Sequence, residues 1–226
     1  GYITLLSNRE PFQDPNLRRA LAVSLNRSEI SERGSYGLRR ALRALVPPSL
    51  AGGAMAPWPE HNPEQARELL QAAGYCNGST LRFPLTFRSN VPADKLLALT
   101  WQAQVQRDLS DCLVLDLDGV ESTTIYRQLG EGAFKAVMLD WRGSYPDPEA
   151  YLTPLLSCTS VEGNICTEGE AAISGSFWSA PGLQTALLNS DTLMGDARRT
   201  ALDRVDHLSA DGAAYIPCLL YTSDAA

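Results

Sequence analysis

Residues 81–118 read LRFPLTFRSNVPADKLLALTWQAQVQRDLSDCLVLDLD, and this stretch decides the fold class. Apolar side chains alternate with others over Leu81–Arg88, which predicts a half-buried strand, and Pro84 indicates an edge strand or a bulge. We predict a long helix over Ala93–Leu109 and a second strand over Cys112–Asp118. Strands that alternate with helices are typical of an α/β fold with a mostly parallel sheet.

The same alternation continues on both sides of this stretch. We predict strands over Tyr2–Leu6, Phe134–Trp141 and Ala213–Tyr221, and helices over 14–34, 38–45, 62–74, 122–129, 147–156, 181–189 and 196–210. Asp14 and Asn62 each precede a Pro, and an N-cap residue followed by Pro is a strong helix start. Residues 158–180 are predicted to form a long polar loop. The sequence therefore predicts one compact αβα sandwich with a mostly parallel sheet and mixed edges.

Composition excludes several classes of protein. Of the 226 residues, 44% are hydrophobic and 20% are charged, which excludes a disordered tail, a collagen-like fibre and a coiled coil. No run approaches the roughly 18 apolar residues that a membrane-spanning helix needs. With 19 basic against 26 acidic residues, the net charge is −7. Phosphate binding needs clustered Lys and Arg, so we expect no nucleic-acid partner.

The five cysteines form no C-x-x-C pair, so spacing argues against a zinc ribbon or a thioredoxin-like site. Cys158 and Cys166 enclose a polar, Gly-containing segment, and they are either a disulfide that closes a small loop or two unrelated thiols. Cys112 and Cys218 lie in apolar, strand-like runs, where we predict that they are buried small hydrophobes.

Catalytic and metal-binding motifs are absent from the sequence. Residues 116–119 resemble the start of a calcium loop, but Arg127 stands where the closing Glu is required. Asp140 and Asp147 form a carboxylate pair that could suggest acid–base chemistry. The simpler interpretation is that Asp147 caps a helix and that Asp140 is solvated at a strand end. We therefore expect no metal, no cofactor and no enzymatic activity.

Five segments, in order along the chain, carry a more specific signal. They are Pro11–Ile30 with its Leu-Arg-Arg-Ala and Asn-Arg pairs, Leu45–Gly52 with Pro47-Pro48, Asn62–Gly74, Trp141–Pro148, and Leu155–Cys158 together with Cys166. Together they resemble the C-terminal lobe of family 5 extracytoplasmic solute-binding proteins, the dipeptide and oligopeptide receptors of ABC importers. Each match alone is weak, but five in the right order are specific.

This resemblance implies a type II periplasmic-binding-protein-like lobe over residues 1–217, a truncated or non-native end over 218–226, and a missing N-terminal lobe. It implies the substrate-binding component of an ABC importer, which holds a peptide or related small solute in a cleft between two lobes. We accordingly expect a periplasmic or other extracytoplasmic location with a signal peptide upstream, a permease partner in the inner membrane, and a monomer. It also implies that residues 38–45 are partly extended, against their helical periodicity, and it favours the Cys158–Cys166 disulfide. The alternatives are a protein-interaction or signalling module on the same lobe, and a hydrolase.

Candidate binding residues lie where a strand ends and a helix begins. Trp141, Ser144, Tyr145 and Asp147 are predicted to line the ligand-facing edge, because open α/β sheets bind ligands at the carboxyl ends of their strands. Arg88 is either a partner for a ligand carboxylate or a solvated surface arginine. In the family, the position of Ser144 is an Asp that pairs with the α-ammonium group of a peptide. A neutral hydroxyl makes a weaker bond, so recognition of a free peptide N-terminus does not follow.

We also expect the two chain ends to lie close together, facing the missing lobe.

Overall fold

A computed structural model describes residues 1–50 and 57–220. Its strands are β1 (Tyr2–Leu5), β2 (Leu81–Arg88), β3 (Leu113–Val120), β4 (Ala136–Leu139), β5 (Ser160–Glu162), β6 (Ile165–Glu168) and β7 (Tyr215–Pro217). Its α-helices are α1 (Pro15–Ser24), α2 (Arg27–Ser35), α3 (Pro63–Ala72), α4 (Pro92–Asp108), α5 (Ser122–Gln128), α6 (Glu149–Leu156), α7 (Glu170–Ile173), α8 (Leu183–Thr192) and α9 (Gly195–Gly212). A 3-10 turn, Leu129–Glu131, follows α5. None of the described helices is long and apolar enough to cross a membrane.

The main sheet has the strand order β3-β2-β4-β1-β7. β2 pairs in parallel with both β3 and β4, whereas β1 is antiparallel to β4 and β7. Four strands therefore point the same way and β1 opposes them. The predicted α/β class and the mostly parallel mixed sheet are confirmed.

Local capping explains where the first helices begin. The Asp14 side chain accepts a hydrogen bond from the N–H of Asn16 and starts α1, and Asn62 does the same for α3. The prediction of one helix over residues 14–34 is wrong, because Asn26 accepts a hydrogen bond from the N–H of Glu29 and caps a second helix. The chain therefore turns between α1 and α2.

Strand β2 is not the edge that Pro84 suggested. β3 and β4 flank it, and β3 is the strand at the edge of the sheet. β4 pairs with β2 only at Leu85 and Thr86. Pro84 precedes that paired part, so its missing N–H removes no hydrogen bond to β4.

The segment 38–45 contains no helix. Ala41 forms an antiparallel bridge with Leu219, and the N–H of Leu42 donates to the carbonyl of Cys218 at 3.0 Å. The helical periodicity was misleading because Leu42 and Leu45 are buried in a segment without helix, in which the N–H of Leu45 donates to Asp206 on α9 at 3.2 Å. The family resemblance gave the right expectation here. The Ala51 and Gly52 part of that resemblance lies outside the described residues.

Residues 158–180 are not a plain loop. They contain the antiparallel hairpin β5–β6 and the short helix α7. Gly163 occupies the hairpin turn with φ +62°, a conformation that favours glycine. Cys158 and Cys166 are joined by a disulfide with an S–S distance of 2.00 Å. The polar composition thus reflects an exposed hairpin rather than irregular backbone.

A second disulfide was not predicted. Cys76 and Cys112 are bonded at 2.09 Å and link the segment after α3 to the start of β3. Cys112 is buried as expected, but it is half of a disulfide rather than a simple hydrophobe. Cys218 is free and buried, as expected.

Buried tryptophans connect the layers of the core. The indole N–H of Trp58 donates to the carbonyl of Tyr215 at 2.9 Å, and that of Trp101 donates to Ser24 Oγ at 3.1 Å. The amino group of Gly1 donates to the carbonyl of Leu219 at 2.6 Å. The two ends of the described chain therefore lie side by side, and residues 218–220 pack with the rest of the lobe.

Candidate functional site

The predicted site residues meet at one edge of the sheet. The loop Trp141–Pro148 leaves the carboxyl end of β4 and enters α6. Arg88 is the last residue of β2, and β2 runs parallel to β4. The carboxyl ends of both strands therefore place Arg88 beside the start of this loop.

Arg88 lies at the centre of a buried polar cluster. Its Nε donates to Asp94 Oδ2 at 2.6 Å and its Nη2 to Asp94 Oδ1 at 3.1 Å. Its Nη1 donates to the Tyr126 hydroxyl at 3.1 Å and also to Asp140 Oδ1. Arg88 is only 5% exposed, so the interpretation as a solvated surface arginine is wrong. Both of its charged partners belong to this chain.

The charges of this cluster do not cancel. Burial lowers the pKa of Arg88, but the hydrogen bonds that Arg88 donates to Asp94 and Asp140 outweigh burial and hold the pKa above its usual value. One guanidinium group thus faces two carboxylates. Asp140 is therefore an anchored residue beside Trp141, not the solvated strand end that we expected.

The indole of Trp141 is fixed by α6. Its N–H donates to the carbonyl of Ala150 at 2.7 Å, while the residue remains 39% exposed. Gly143 lies against the ring of Tyr151, and a Cβ at this glycine would stand 2.6 Å from Tyr151 Cε2. The loop can follow this path because residue 143 has no side chain. The structure thus presents part of a flat apolar surface to solvent.

Asp147 shapes the same loop. Its Oδ1 accepts from the N–H of Glu149 at 2.9 Å, and its Oδ2 pairs with Arg198 Nη1 at 2.7 Å. Arg198 Nη2 also pairs with Glu149 at 2.9 Å. Burial raises the pKa of Asp147, but the hydrogen bonds from Arg198 and Glu149 hold it below its usual value. Asp147 is therefore an ionised carboxylate whose two oxygens already bond to Glu149 and Arg198.

Ser144 and Tyr145 are exposed hydroxyl-bearing residues of the loop, and Arg142 is a third exposed polar residue. Within the described residues neither hydroxyl has a hydrogen-bond partner. Burial and the nearby Glu149 and Asp147 raise the pKa of Tyr145, so its phenol remains a protonated donor at neutral pH. The loop thus offers one indole face and two uncommitted hydroxyl groups.

Behind Trp141 there is room for little more than a water molecule. A cavity of about 30 Å³ lies between Trp141, Tyr151, Leu155 and Pro217. This part of the lobe is therefore an open face rather than an enclosed pocket. A solute bound here would need a second wall.

Sequence reasoning missed three members of the site, namely Asp94, Tyr126 and Arg198. It singled out Asp140 but gave it no partner. The one sequence signal that places Asp140 in the site was its position directly before Trp141. Arg198 is 51 residues from Asp147, and no local pattern connects them. Over the ranges 1–50 and 57–220, no group of three or more His, Cys, Asp or Glu is arranged to hold a metal ion.

The fold is that of type II periplasmic binding proteins. The chain is similar to the Haemophilus influenzae OppA structure in complex with RPPGFSPFR, with TM-score 0.83 and 18% identity over 97% of this chain and 42% of that one. It is also similar to the dipeptide binding protein from Pseudoalteromonas sp. SM9913 in complex with Met-Leu, with TM-score 0.81 and 22% identity over 96% of this chain and 42% of that one. These similarities show a type II periplasmic-binding-protein-like lobe.

The sequence assigns the family. Residues 1–163 match the profile of bacterial extracellular solute-binding proteins, family 5 Middle, and the chain belongs to that family. The glutathione-binding protein GsiB of Escherichia coli K12 is 28% identical over 159 residues, which cover 69% of this chain and 30% of GsiB. The chain thus spans less than half the length of these relatives.

Proposed function

We propose that this chain is the part of an ABC importer's substrate-binding protein that carries one wall of the solute site. The solute is a peptide or a related small molecule, and it binds against the loop Trp141–Asp147. The observation that carries the proposal is the exposed, anchored loop at the carboxyl edge of β4, in a chain that belongs to family 5. Open α/β sheets bind ligands at this edge.

Each residue of the site has a distinct proposed role. Trp141 supplies an apolar wall, and the hydroxyls of Ser144 and Tyr145 bond to polar groups of the solute. Asp147 keeps the loop in shape through its bonds to Arg198 and to the start of α6. Arg88 holds Asp140 in place, so a solute carboxylate would reach Arg88 only by displacing Asp140.

The setting follows from the same proposal. The protein is exported to the periplasm or another extracytoplasmic location, acts as a monomer, and delivers its solute to a membrane permease. Residues 1–217 form the C-terminal ligand-binding lobe, and a second lobe supplies the opposite wall of the cleft. We propose no catalytic role, because the two candidate acid–base groups, Asp140 and Asp147, are each paired with an arginine.

Calorimetric titration of the protein at its natural length tests the proposal. The ligands are dipeptides, tripeptides and glutathione, each with and without an acetylated amino group. Trp141→Ala should weaken binding about thirtyfold or more, because an aromatic anchor at a binding hot spot contributes about 2 kcal/mol or more. Tyr36→Ala is the matched control, since Tyr36 is 94% exposed and lies outside the loop.

Ser144→Asp tests the polar half of the site. The added carboxylate should raise the affinity for peptides with a free amino group and leave the acetylated peptides unchanged. Circular dichroism should show that all variants are folded. Equal affinity of the wild type, Trp141→Ala and Ser144→Asp would place the solute elsewhere.

A further inference from the structure

A second cleft lies far from the candidate solute site. β1 runs antiparallel to β4, with Tyr2 opposite Leu139 and Leu5 opposite Ala136. Ser7, just beyond β1, therefore lies at the opposite end of the sheet from Trp141. At that end is an open cleft of about 550 Å³, which we name the arginine cleft. Ser7, Arg18, Arg19, Trp178, Ser179 and Asp211 are among its lining residues.

Arg18 is a buried cation without an ion-pair partner, although the negative charge of Asp14 acts on it from a greater distance. It is 5% exposed, and within residues 1–50 and 57–220 no carboxylate lies within ion-pair distance of it. Its Nε donates to the carbonyl of Gly212 at 2.7 Å, and its Nη1 donates to the carbonyls of Phe12 at 2.6 Å and Gln13 at 3.2 Å. Its Nη2 has no hydrogen-bond partner among those residues. Burial lowers the pKa of Arg18 to about 10, so the group still carries its charge at neutral pH.

Arg19 adds a second guanidinium group to the cleft. Its Nε donates to the carbonyl of Asp211 at 3.0 Å, next to the carbonyl that Arg18 uses. Neither Nη of Arg19 has a hydrogen-bond partner in the described chain. Both arginines thus donate from Nε to carbonyls at the carboxyl end of α9. Three terminal nitrogens, Arg18 Nη2 and both Nη atoms of Arg19, have no hydrogen-bond partner in the described chain.

Ser179 provides an independent sign of a missing partner. The residue is 1% exposed, and its Oγ makes no hydrogen bond within the described residues. A buried hydroxyl without a partner is unfavourable by about 1–3 kcal/mol. The neighbouring wall is tightly packed, because a Cβ on Gly212 would stand 2.1 Å from the ring of Trp178.

Acidic groups limit what the cleft can hold. Glu162 and Asp211 also line it, and both are exposed. Solvent and salt screen exposed charges strongly but screen a buried guanidinium much less. These two carboxylates therefore disfavour a polyanion while leaving the buried Arg18 attractive to a small one.

We infer that the arginine cleft binds a small solute through one oxyanion group, a carboxylate or a phosphate. Arg18 Nη2 and the terminal nitrogens of Arg19 donate to the oxyanion, and Ser179 Oγ completes its contacts. The volume of the cleft is within the range of small-molecule sites. This site is separate from the loop at Trp141 and does not depend on solute binding there.

Titration calorimetry of the 226-residue chain tests the inference. Sodium acetate and sodium phosphate are the two probes, each titrated at an ionic strength held constant with sodium chloride. Acetate reports a carboxylate site and phosphate a phosphate site, and we expect saturable heat from at least one of them. Arg18 variants are avoided, because its bonds to three carbonyls are also structural.

Two variants and one control identify the donors. Arg19→Gln should weaken binding about tenfold, and Ser179→Ala about fivefold, as expected for a charge-assisted and a neutral hydrogen bond. Arg127→Gln, an exposed arginine on α5, should leave the affinity within about twofold. The inference is overturned by the absence of saturable heat with both probes, by wild-type affinity in both variants, or by equal weakening in the control.

Discussion

Replacing Asp94 by Asn removes the carboxylate that grips Arg88 with two hydrogen bonds. The two side chains are 5% and 6% exposed, and the bonds measure 2.6 and 3.1 Å. Removing one partner of a buried ion pair leaves an uncompensated charge and typically destabilises a protein by about 3–5 kcal/mol. Arg88 keeps Asp140 in the variant, so we expect the lower end, about 3 kcal/mol.

The same strand offers a matched control. Arg82 is also on β2 and pairs with Asp116 at 2.6 Å, but these side chains are 62% and 48% exposed. Asp116→Asn should therefore reduce the free energy of unfolding by only about 0–1 kcal/mol. Both variants remove one carboxylate from one Asp–Arg pair, so burial is the main difference between them.

Urea unfolding followed by far-ultraviolet circular dichroism measures both effects. Asp94→Asn should shift the midpoint without changing the slope, and should lower the Tm by roughly 6–12 °C for a chain of this length. The reasoning is wrong if Asp94→Asn and Asp116→Asn unfold with free energies within about 0.5 kcal/mol of each other.

Three further predictions concern the scaffold. Non-reducing peptide mapping should recover both disulfides and one free thiol, and free thiols at either pair would contradict this. Opening the Cys76–Cys112 disulfide should lower the free energy of unfolding by about 4 kcal/mol, against about 2.5 kcal/mol for the shorter Cys158–Cys166 loop. Burial raises the pKa of Asp206 from 3.8 to about 7, so its contribution to stability is present below about pH 4 and is lost as the pH rises to about 7. Asp206→Asn should remove that part of the pH dependence in urea titrations, and an unchanged slope would argue against it. Gly143→Ala should force the ring of Tyr151 to move and should lower the free energy of unfolding by about 1–3 kcal/mol. An unchanged melting temperature would show that the ring can move without cost.

Local signals explain what the sequence could predict about the fold. Asp14 and Asn62 mark the starts of α1 and α3 because an N-cap bonds to backbone within three residues. The alternation over Leu81–Arg88 identifies β2 because one face of the strand is buried. Periodicity did not reveal that the first helix ends before Asn26. The apolar spacing continues through this residue, but its side chain caps a second helix.

Pairing between distant residues could not be predicted from spacing. The position of the site loop follows from a strand that leads into a helix, which is a local pattern. Arg88 comes into contact with Asp94 and Asp140 only when the sheet has formed. Asp147 likewise pairs with Arg198 only when α9 packs against the loop. Five cysteines likewise allow several pairings, and the one that includes Cys112 depends on the register of β3.

The ion pairs on either side of Trp141 should respond differently to dissolved salt. Arg198, Asp147 and Glu149 are 23%, 30% and 27% exposed, whereas Arg88 and Asp94 are almost fully enclosed. At 1 M ionic strength the Debye length shrinks to about 3 Å, which weakens exposed pairs far more than buried ones. Concentrated salt would thus weaken the ion pairs between α9 and the loop while the buried Arg88–Asp94 pair stays intact, so the geometry of the loop depends on the ionic strength of the surrounding medium.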